Sequence, residues 1–398
     1  MVRLLLFGLI ITRVLNIKKV PGDEEDEVAM WLQLKSQSAP EPLSPKSISW
    51  MKQQLHSCHQ GIDDHDQTCA SYDRFHFLPT RLIDVRNGNL RIVEGEFLKH
   101  QTSAGINLPK YASLSYCWGN ISGDGHNYHT TTSNLVARQA DIDICCLPSV
   151  LQDAVAMTRA LSLPYLWVDA LCISQDQLGD WETESSQQNM IYSSAYVTIA
   201  CLTSSCHLGF LEPKNPQVRM KFQSRVDSSI LGGYNIEFAH CDRDRVSRRC
   251  NVVKSKSIYP PSRWFSRGWT YQEQWLSSRV LLLGLGFMGL SCAIGLSLEG
   301  EQGCYRGLPT IRVLASNTGD YDMGKHWADT VSFYVKRHLT VPEDRLPALS
   351  GIADAFSHYM GDGYLAGVWK SDIIRGVLWY KTITQHAEVI GLGSFWNH

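Results

Sequence analysis

The side chains of this chain best suited to chemistry are carboxylates, amides and an arginine set among tryptophans. Asp169 directly follows Trp167 and Val168 at the end of an apolar run, so its carboxylate falls beside an indole, where burial raises a carboxyl pKa. A carboxylate that only bonds loop amides is the plainer reading of the same position. Glu184 lies one helical turn after Trp181, near a helix start, where a solvated Glu that favours the helix dipole is the plainer reading. Arg267, Trp269, Gln272 and Glu273 stand together in Arg-Gly-Trp-Thr-Tyr-Gln-Glu. That composition suits a buried Arg and Glu network holding two parts of the chain together, or ligand contact.

Other patterns offer less. Gly284, Gly286 and Gly289 form a GxGxxG after the apolar Val280 to Leu283, but a following helix would have to contain Gly295 and Gly300. Glu299 and Glu301 also come too early for the ribose-binding acid of a dinucleotide site, so a glycine-softened hairpin is expected. Cys58, His59, His65 and Cys69 offer thiolates and imidazoles, yet there is no CxxC pair and the spacing matches no common zinc finger. No metal site is expected. Cys172 reads as an inert core thiol in an apolar run. No GxSxG elbow, HExxH or P-loop occurs.

The elements that must position these groups alternate. Tyr111 to Trp118 has strand character, Pro148 opens a helix with Val150, Leu151, Ala154, Val155, Thr158 and Leu161 on one face, and Leu166 to Ile173 reads as a buried strand. Asp180 suits the N-cap of a helix through Ser194, and Tyr196 to Leu202 is again a strand. The order β, α, β, α, β predicts a parallel sheet flanked by helices, with ligands beyond the carboxyl ends of its strands. Asp169, Gln175 and Asp176 fall at or near that edge. Upstream, two strand-like runs bracket Asn87-Gly88 as a hairpin would. Downstream, Trp327, Val331, Tyr334, Val335 and Leu339 share a helical face, and Ser371-Asp372 caps a further helix carrying Ile373, Ile374, Val377 and Leu378. The carboxyl third is expected to be mainly helical.

Composition bounds the function. The 398 residues carry 37 Lys and Arg against 39 Asp and Glu, a formal charge of −2 that gives no field for recruiting nucleic acid. Arg243, Arg245, Arg248 and Arg249 read as a solvated loop. Twelve cysteines in such a length are too dilute for a disulfide scaffold, which favours reduced thiols in the cytoplasm. An acidic run from Asp23 to Glu27 and prolines at 40, 42 and 45 make residues 1–47 a disordered leader and linker. Val280 to Leu298 is nineteen residues without a charge, long enough to cross a membrane, but four glycines and the absence of a positive side favour buried strands.

Four blocks in order carry a likeness to a known family. Tyr-Ala-Ser-Leu-Ser-Tyr-Cys-Trp-Gly (111–119), Leu-Pro-Tyr-Leu-Trp-Val-Asp-Ala-Leu-Cys-Ile-Ser-Gln-Asp (163–176), Ile-Tyr-Ser-Ser-Ala (191–195) and Arg-Gly-Trp-Thr-Tyr-Gln-Glu (267–273) together resemble the fungal heterokaryon-incompatibility (HET) domain. Segments 78–85, 344–353 and 364–369 also resemble what accompanies it. The resemblance divides the chain into a leader (1–47), an N-terminal lead-in region (48–110), the HET domain (111–274) and a carboxyl-terminal accessory region of apolar strands then helices (275–398). It implies non-self recognition and programmed cell death signalling, through protein partners or self-association of the α/β domain. The HET domain is similar to Toll/interleukin-receptor (TIR) domains, some of which cleave NAD with a glutamate in a Trp-x-x-Glu context, the spacing of Trp181 and Glu184. Gln188 stands where the family often has Met. Under that reading Glu184 is the catalytic carboxylate that stabilises or traps an oxocarbenium-like centre. Trp118, Gly119, Asp169, Gln175, Asp176 and Trp181 then bind or orient the ligand. Arg267, Trp269, Gln272 and Glu273 keep a structural or interdomain role. No bound cofactor is implied, NAD being a substrate in that case.

Overall fold

A computed structural model describes residues 14–19, 41–63, 65, 69, 77–101, 108–119, 128–211, 217–223, 231–239, 259–260, 262–300, 303–310 and 323–377. Strand β1 (Val14–Lys19) is followed by helix α1 (Pro45–Gln60), which starts at a Ser44 cap with Pro45 in its first turn. Strands β2 (Arg81–Asp84) and β3 (Arg91–Glu94) pair antiparallel around Asn87-Gly88, and α2 (Gly95–Gln101) follows. The alternating core then runs through β4 (Tyr111–Ser115), α3 (Leu135–Ala140), α4 (Ser149–Ala160), β5 (Tyr165–Trp167), the single turn α5 (Asp169–Cys172), α6 (Leu178–Ser186), α7 (Gln188–Ser194) and β6 (Val197–Cys201). After β7 (Gln217–Gln223) and β8 (Leu231–Ala239) come α8 (Gly268–Leu276) and strands β9 (Val280–Gly284), β10 (Phe287–Cys292), β11 (Gly295–Leu298) and β12 (Cys304–Tyr305). The described carboxyl-terminal elements are α9 (Met323–Tyr334), α10 (Pro347–Met360), the β13 (Tyr364–Leu365) and β14 (Val368–Trp369) hairpin, and α11 (Ile373–Val377).

The main sheet has nine strands in the order β12-β11-β10-β9-β6-β4-β5-β2-β3. Its centre, β5-β4-β6-β9, is parallel, as the alternation predicts, and both margins are antiparallel. The central strands β4, β5, β6 and β9 are buried at every position, the pattern of a sheet covered on both faces. From β4 the chain steps to one side for β5 and to the other for β6, so right-handed crossovers place α4 and α7 on opposite faces. The topological switch point therefore lies between the carboxyl ends of β4 and β6. A second sheet, β1-β8-β7, is antiparallel throughout.

Several expectations are corrected. Strand β5 stops at Trp167 rather than continuing to Ile173, and Asp169 starts a helical turn in which Cys172 is buried. A short apolar run does not distinguish a buried strand from a buried turn. The helix expected from Asp180 to Ser194 is two helices broken at Gln187, and Asp180 does not cap it. Tyr111 to Trp118 leaves its strand after Ser115. The supposed leader contributes β1, and α1 begins at Pro45, inside it. Leu378 and the Arg243–Arg249 cluster lie outside the described residues.

The apolar stretch Val280 to Leu298 forms β9, β10 and β11, as buried strands, and no helix among the described residues is long and apolar enough to cross a membrane. Its GxGxxG is a hairpin device. Leu285 (φ 54°) and Gly286 (φ 70°) form the two-residue loop between paired Gly284 and Phe287, and a tight loop twisted to match its strands needs positive φ at both positions.

Candidate functional site

The carboxyl ends of β4 and β5 hold a cluster of polar side chains. Beyond β4 the chain continues through Tyr116, Cys117, Trp118 and Gly119, and beyond β5 through Val168 to Asp169. The Trp118 indole donates to Asp169 Oδ2 at 2.9 Å, and the Ala170 amide donates to Asp169 Oδ1 at 2.7 Å. Burial pushes the Asp169 carboxyl above its ordinary value, while those two donors, the Tyr116 hydroxyl and Arg267 pull it back. The Trp118 ring lies 4.7 Å from that of His129, which in turn meets Tyr128 edge-on at 4.6 Å. Gly119 has φ 96° and presses on Ser205, whose Oγ would lie 2.8 Å from an added Cβ, so a side chain here would be strained and crowded.

From the neighbouring helix α8, Glu273 reaches the end of β4, where the Ser115 hydroxyl donates to its Oε2. The fully buried Trp264 indole donates to the same Ser115 Oγ at 2.7 Å, and the Ser262 hydroxyl donates to the Leu202 carbonyl beyond β6 at 2.6 Å. Residues 262–264 thus bridge β4 and β6 across the switch point, where an open α/β sheet would bind its ligand. Burial pushes the Glu273 carboxyl up to about 7, and nearby Asp169 adds to the rise. The Ser115 hydroxyl, Arg267 and the Tyr192 hydroxyl oppose it. Glu273, which has Asp169 and Arg267 beside it, is thus a group able to hold or release a proton near neutral pH.

The other predicted residues are distributed as follows. Gln175 donates from Nε2 to the carbonyls of Asp169 (3.0 Å) and Ile173 (3.2 Å), which makes it the brace of turn α5. Asp176 is exposed and accepts from the amide and hydroxyl of Thr132 at 2.9 and 2.7 Å. Glu184, the buried residue of α6, lies instead beside β2. Neither of its carboxylate oxygens is hydrogen-bonded among the described residues. Burial raises its pKa, while the Thr80 hydroxyl and the Arg81 guanidinium, outside hydrogen-bond geometry, pull the other way. Arg81 is committed elsewhere: it donates to the Cys172 carbonyl at 2.7 Å and pairs with Asp180, which also accepts from the Ser174 amide at 2.7 Å. Trp181 is half-buried against the main core.

The sequence block 267–273 divides between two tasks. Arg267 and Glu273 belong to the acidic cluster, whereas Trp269 and Gln272 face the carboxyl-terminal helices. The Trp269 indole donates to Asp344 at 3.0 Å, Gln272 donates to Gln188 Oε1 at 2.9 Å, and the Gly351 amide donates to Gln272 Oε1 at 2.8 Å. No hydrogen bond or ion pair among the described residues joins Glu184, Asp169 and Asp176. Sequence reasoning missed Ser115, Tyr192, Trp264 and Arg81 as partners. The only signal for Arg81, Ser115 and Tyr192 was membership of the blocks 78–85, 111–119 and 191–195, and Trp264 lies three residues before the block 267–273.

A surface depression lined by Lys52, Gln53, Leu161 and Tyr196 contains none of these side chains. Outside the acidic cluster, Cys58, His65, Cys69 and Cys292 bring three thiols and an imidazole together.

Residues 111–273 match the family described as Heterokaryon incompatibility protein (HET). The matched segment starts on the first residue of β4 and ends on Glu273, so it contains Ser115, Trp118, Asp169, Tyr192, Trp264 and Arg267 as well. No curated protein and no solved structure matches the chain.

Proposed function

We propose that this protein acts in heterokaryon incompatibility, in the cytoplasm, and that its α/β domain signals programmed cell death on non-self recognition by self-associating. The observation that carries the reading is a convergence inside the matched segment. All four sequence blocks deliver side chains to one buried cluster: Ser115 and Trp118 from the first, Asp169 from the second, Tyr192 from the third, Arg267 and Glu273 from the fourth. Such a cluster fixes a specific packing of α8 on β4. Self-association is supported by exposed apolar side chains on adjoining segments. Val136 is 76% exposed and Leu178 70% exposed, near the joint that Thr132 and Asp176 make. Isolated exposed apolar residues are ordinary, but two beside one joint offer a contact surface.

The test is induced expression in a fungal host, with viability and oligomeric state read together. Death with assembly is expected from the wild type, and both are lost in the Val136→Asp, Leu178→Asp double variant. A harmless, strictly monomeric wild type would end the proposal.

One observation favours a second reading, NAD cleavage in the manner of TIR domains with Glu184 as the catalytic carboxylate. A buried carboxyl with no hydrogen bond is a common mark of a functional site. Cellular NAD in cells expressing Glu184→Gln separates the two: loss of NAD consumption together with death supports the enzyme, and unchanged death supports assembly.

A further inference from the structure

We propose that Cys58, His65, Cys69 and Cys292 form a structural zinc site, which clamps helix α1 to the β10–β11 hairpin. All four residues are buried, and their four donor atoms lie within 4.8 Å of one another. Cys69 Sγ is 3.8 Å from Cys292 Sγ, and Cys292 Sγ is 3.7 Å from His65 Nδ1. A tetrahedral zinc with Zn–S of about 2.3 Å and Zn–N of about 2.0 Å spaces its donors by roughly 3.5–3.8 Å. None of the three cysteines is in a disulfide.

The backbone is shaped to deliver the imidazole. Helix α1 ends at Gly61 (φ 64°), and Asp63, two residues later, is again left-handed (φ 56°), a conformation that costs a non-glycine residue about 1 kcal/mol or more. It is held by the Ser57 hydroxyl, which donates to Asp63 Oδ2 at 2.5 Å, while the Ile62 amide donates to the Ser57 carbonyl and the His65 amide to the Ile62 carbonyl, each at 3.1 Å. This reversal carries His65 back to Cys58. The adjacent His59 points elsewhere: it meets the Tyr196 ring edge-on at 5.3 Å, and its Nε2 lies 3.3 Å from Lys110 Nζ. Ala293 and Ile294 pack against the thiols and make the surroundings apolar.

The donor set selects the metal. Three thiolates and one imidazole are soft-to-borderline ligands that suit zinc and exclude magnesium and calcium, which take oxygen. Four protein ligands leave no open position, so the site is structural. On binding, each of the three thiols releases its proton to solvent as its sulfur bonds to Zn²⁺, and neutral His65 gives the lone pair of Nδ1, leaving a net charge of −1 on the centre. The fourth donor comes from a strand 223 residues beyond Cys69 and joins the other three only when α1 lies on β10. The clamp therefore forms with the fold.

The full chain, purified without chelator, is expected to contain about one zinc per molecule by plasma mass spectrometry. Its Co²⁺-loaded form is expected to show the thiolate charge-transfer and tetrahedral d–d absorption of an S₃N site. Cys58→Ser and Cys292→Ser should each lower zinc affinity about tenfold or more, whereas His65→Cys and the exposed-site control Cys145→Ser should keep the metal. A folded wild type with neither zinc nor a cobalt–thiolate spectrum would overturn the proposal without recourse to any variant. Retention of full zinc content in a Cys58→Ser, Cys292→Ser double variant would overturn it as well.

Discussion

Glu273 at the centre of the sheet and Glu184 at its β2 margin are both glutamates that the fold buries and whose carboxyl pKa it raises. Their surroundings differ. Glu273 accepts from the Ser115 hydroxyl, has Tyr192 and Arg267 beside it, and is locked to a strand end that Trp264 also grips. Glu184 has no hydrogen bond among the described residues, and the nearest cation, Arg81, is already paired with Asp180 and the Cys172 carbonyl. Burial alone therefore does not assign a role. The partnered acid specifies how α8 sits on β4, whereas the unpartnered one adds nothing to packing that a neutral side chain would lack. The contrast also bears on the enzymatic reading, because the burial that raises the Glu184 pKa works against the charged carboxylate that a trap for a cationic centre needs.

The contrast can be broken by experiment, and the largest effect belongs to the centre. Glu273→Ala strips the buried cluster of its acceptor and is expected to cost about 3–5 kcal/mol in urea unfolding, against less than about 1 kcal/mol for Glu184→Gln. Equal costs would erase the distinction.

A pH series sharpens it. Glu273 keeps its proton in the folded state up to about 7 but loses it in the unfolded chain near 4.3, so the folded state binds more protons across that interval. Stability from this group is complete below about pH 4.3 and falls as pH rises to about 7, by roughly 4 kcal/mol in total, and Glu273→Gln should flatten the decline. A decline that survives the substitution would place the titrating group elsewhere.

At the margin, Asp180→Ala leaves the Arg81 guanidinium and the Ser174 amide without their acceptor and is expected to cost about 2 kcal/mol. The smallest effect is that of Glu184→Gln itself. Thermal melts at neutral pH should move by no more than a few degrees, since the amide replaces a carboxyl that had no hydrogen bond to lose. A large loss would show that Glu184 is held by more than Arg81.

Much of this architecture is legible in the residues. The β, α, β, α, β order, the hairpin at Asn87-Gly88 and the strands hidden in Val280 to Leu298 all follow from periodicity and turn chemistry. Local pattern failed where two structures share one signature. Leu166 to Ile173 is apolar apart from Asp169 whether it continues as strand or coils at that residue. The polar cluster was legible only in part: Asp169 stood out beside its indole, but Glu273 acquires its elevated pKa from burial and Asp169, against the pull of its Ser115 hydrogen bond, and these meet it only in three dimensions. The thiol group shows the same limit, since no spacing rule connects Cys69 to Cys292.

The small sheet has a separate consequence. Strand β1 pairs with β8 over residues 14–19, and β7 covers the opposite side of β8. Proteolytic clipping after Lys19 would leave a row of backbone amides and carbonyls on β8 without their neighbour, an adhesive border at which copies of the shortened chain could stack. Integrity of the amino terminus is thereby a determinant of colloidal behaviour, independent of anything that happens at the acidic cluster.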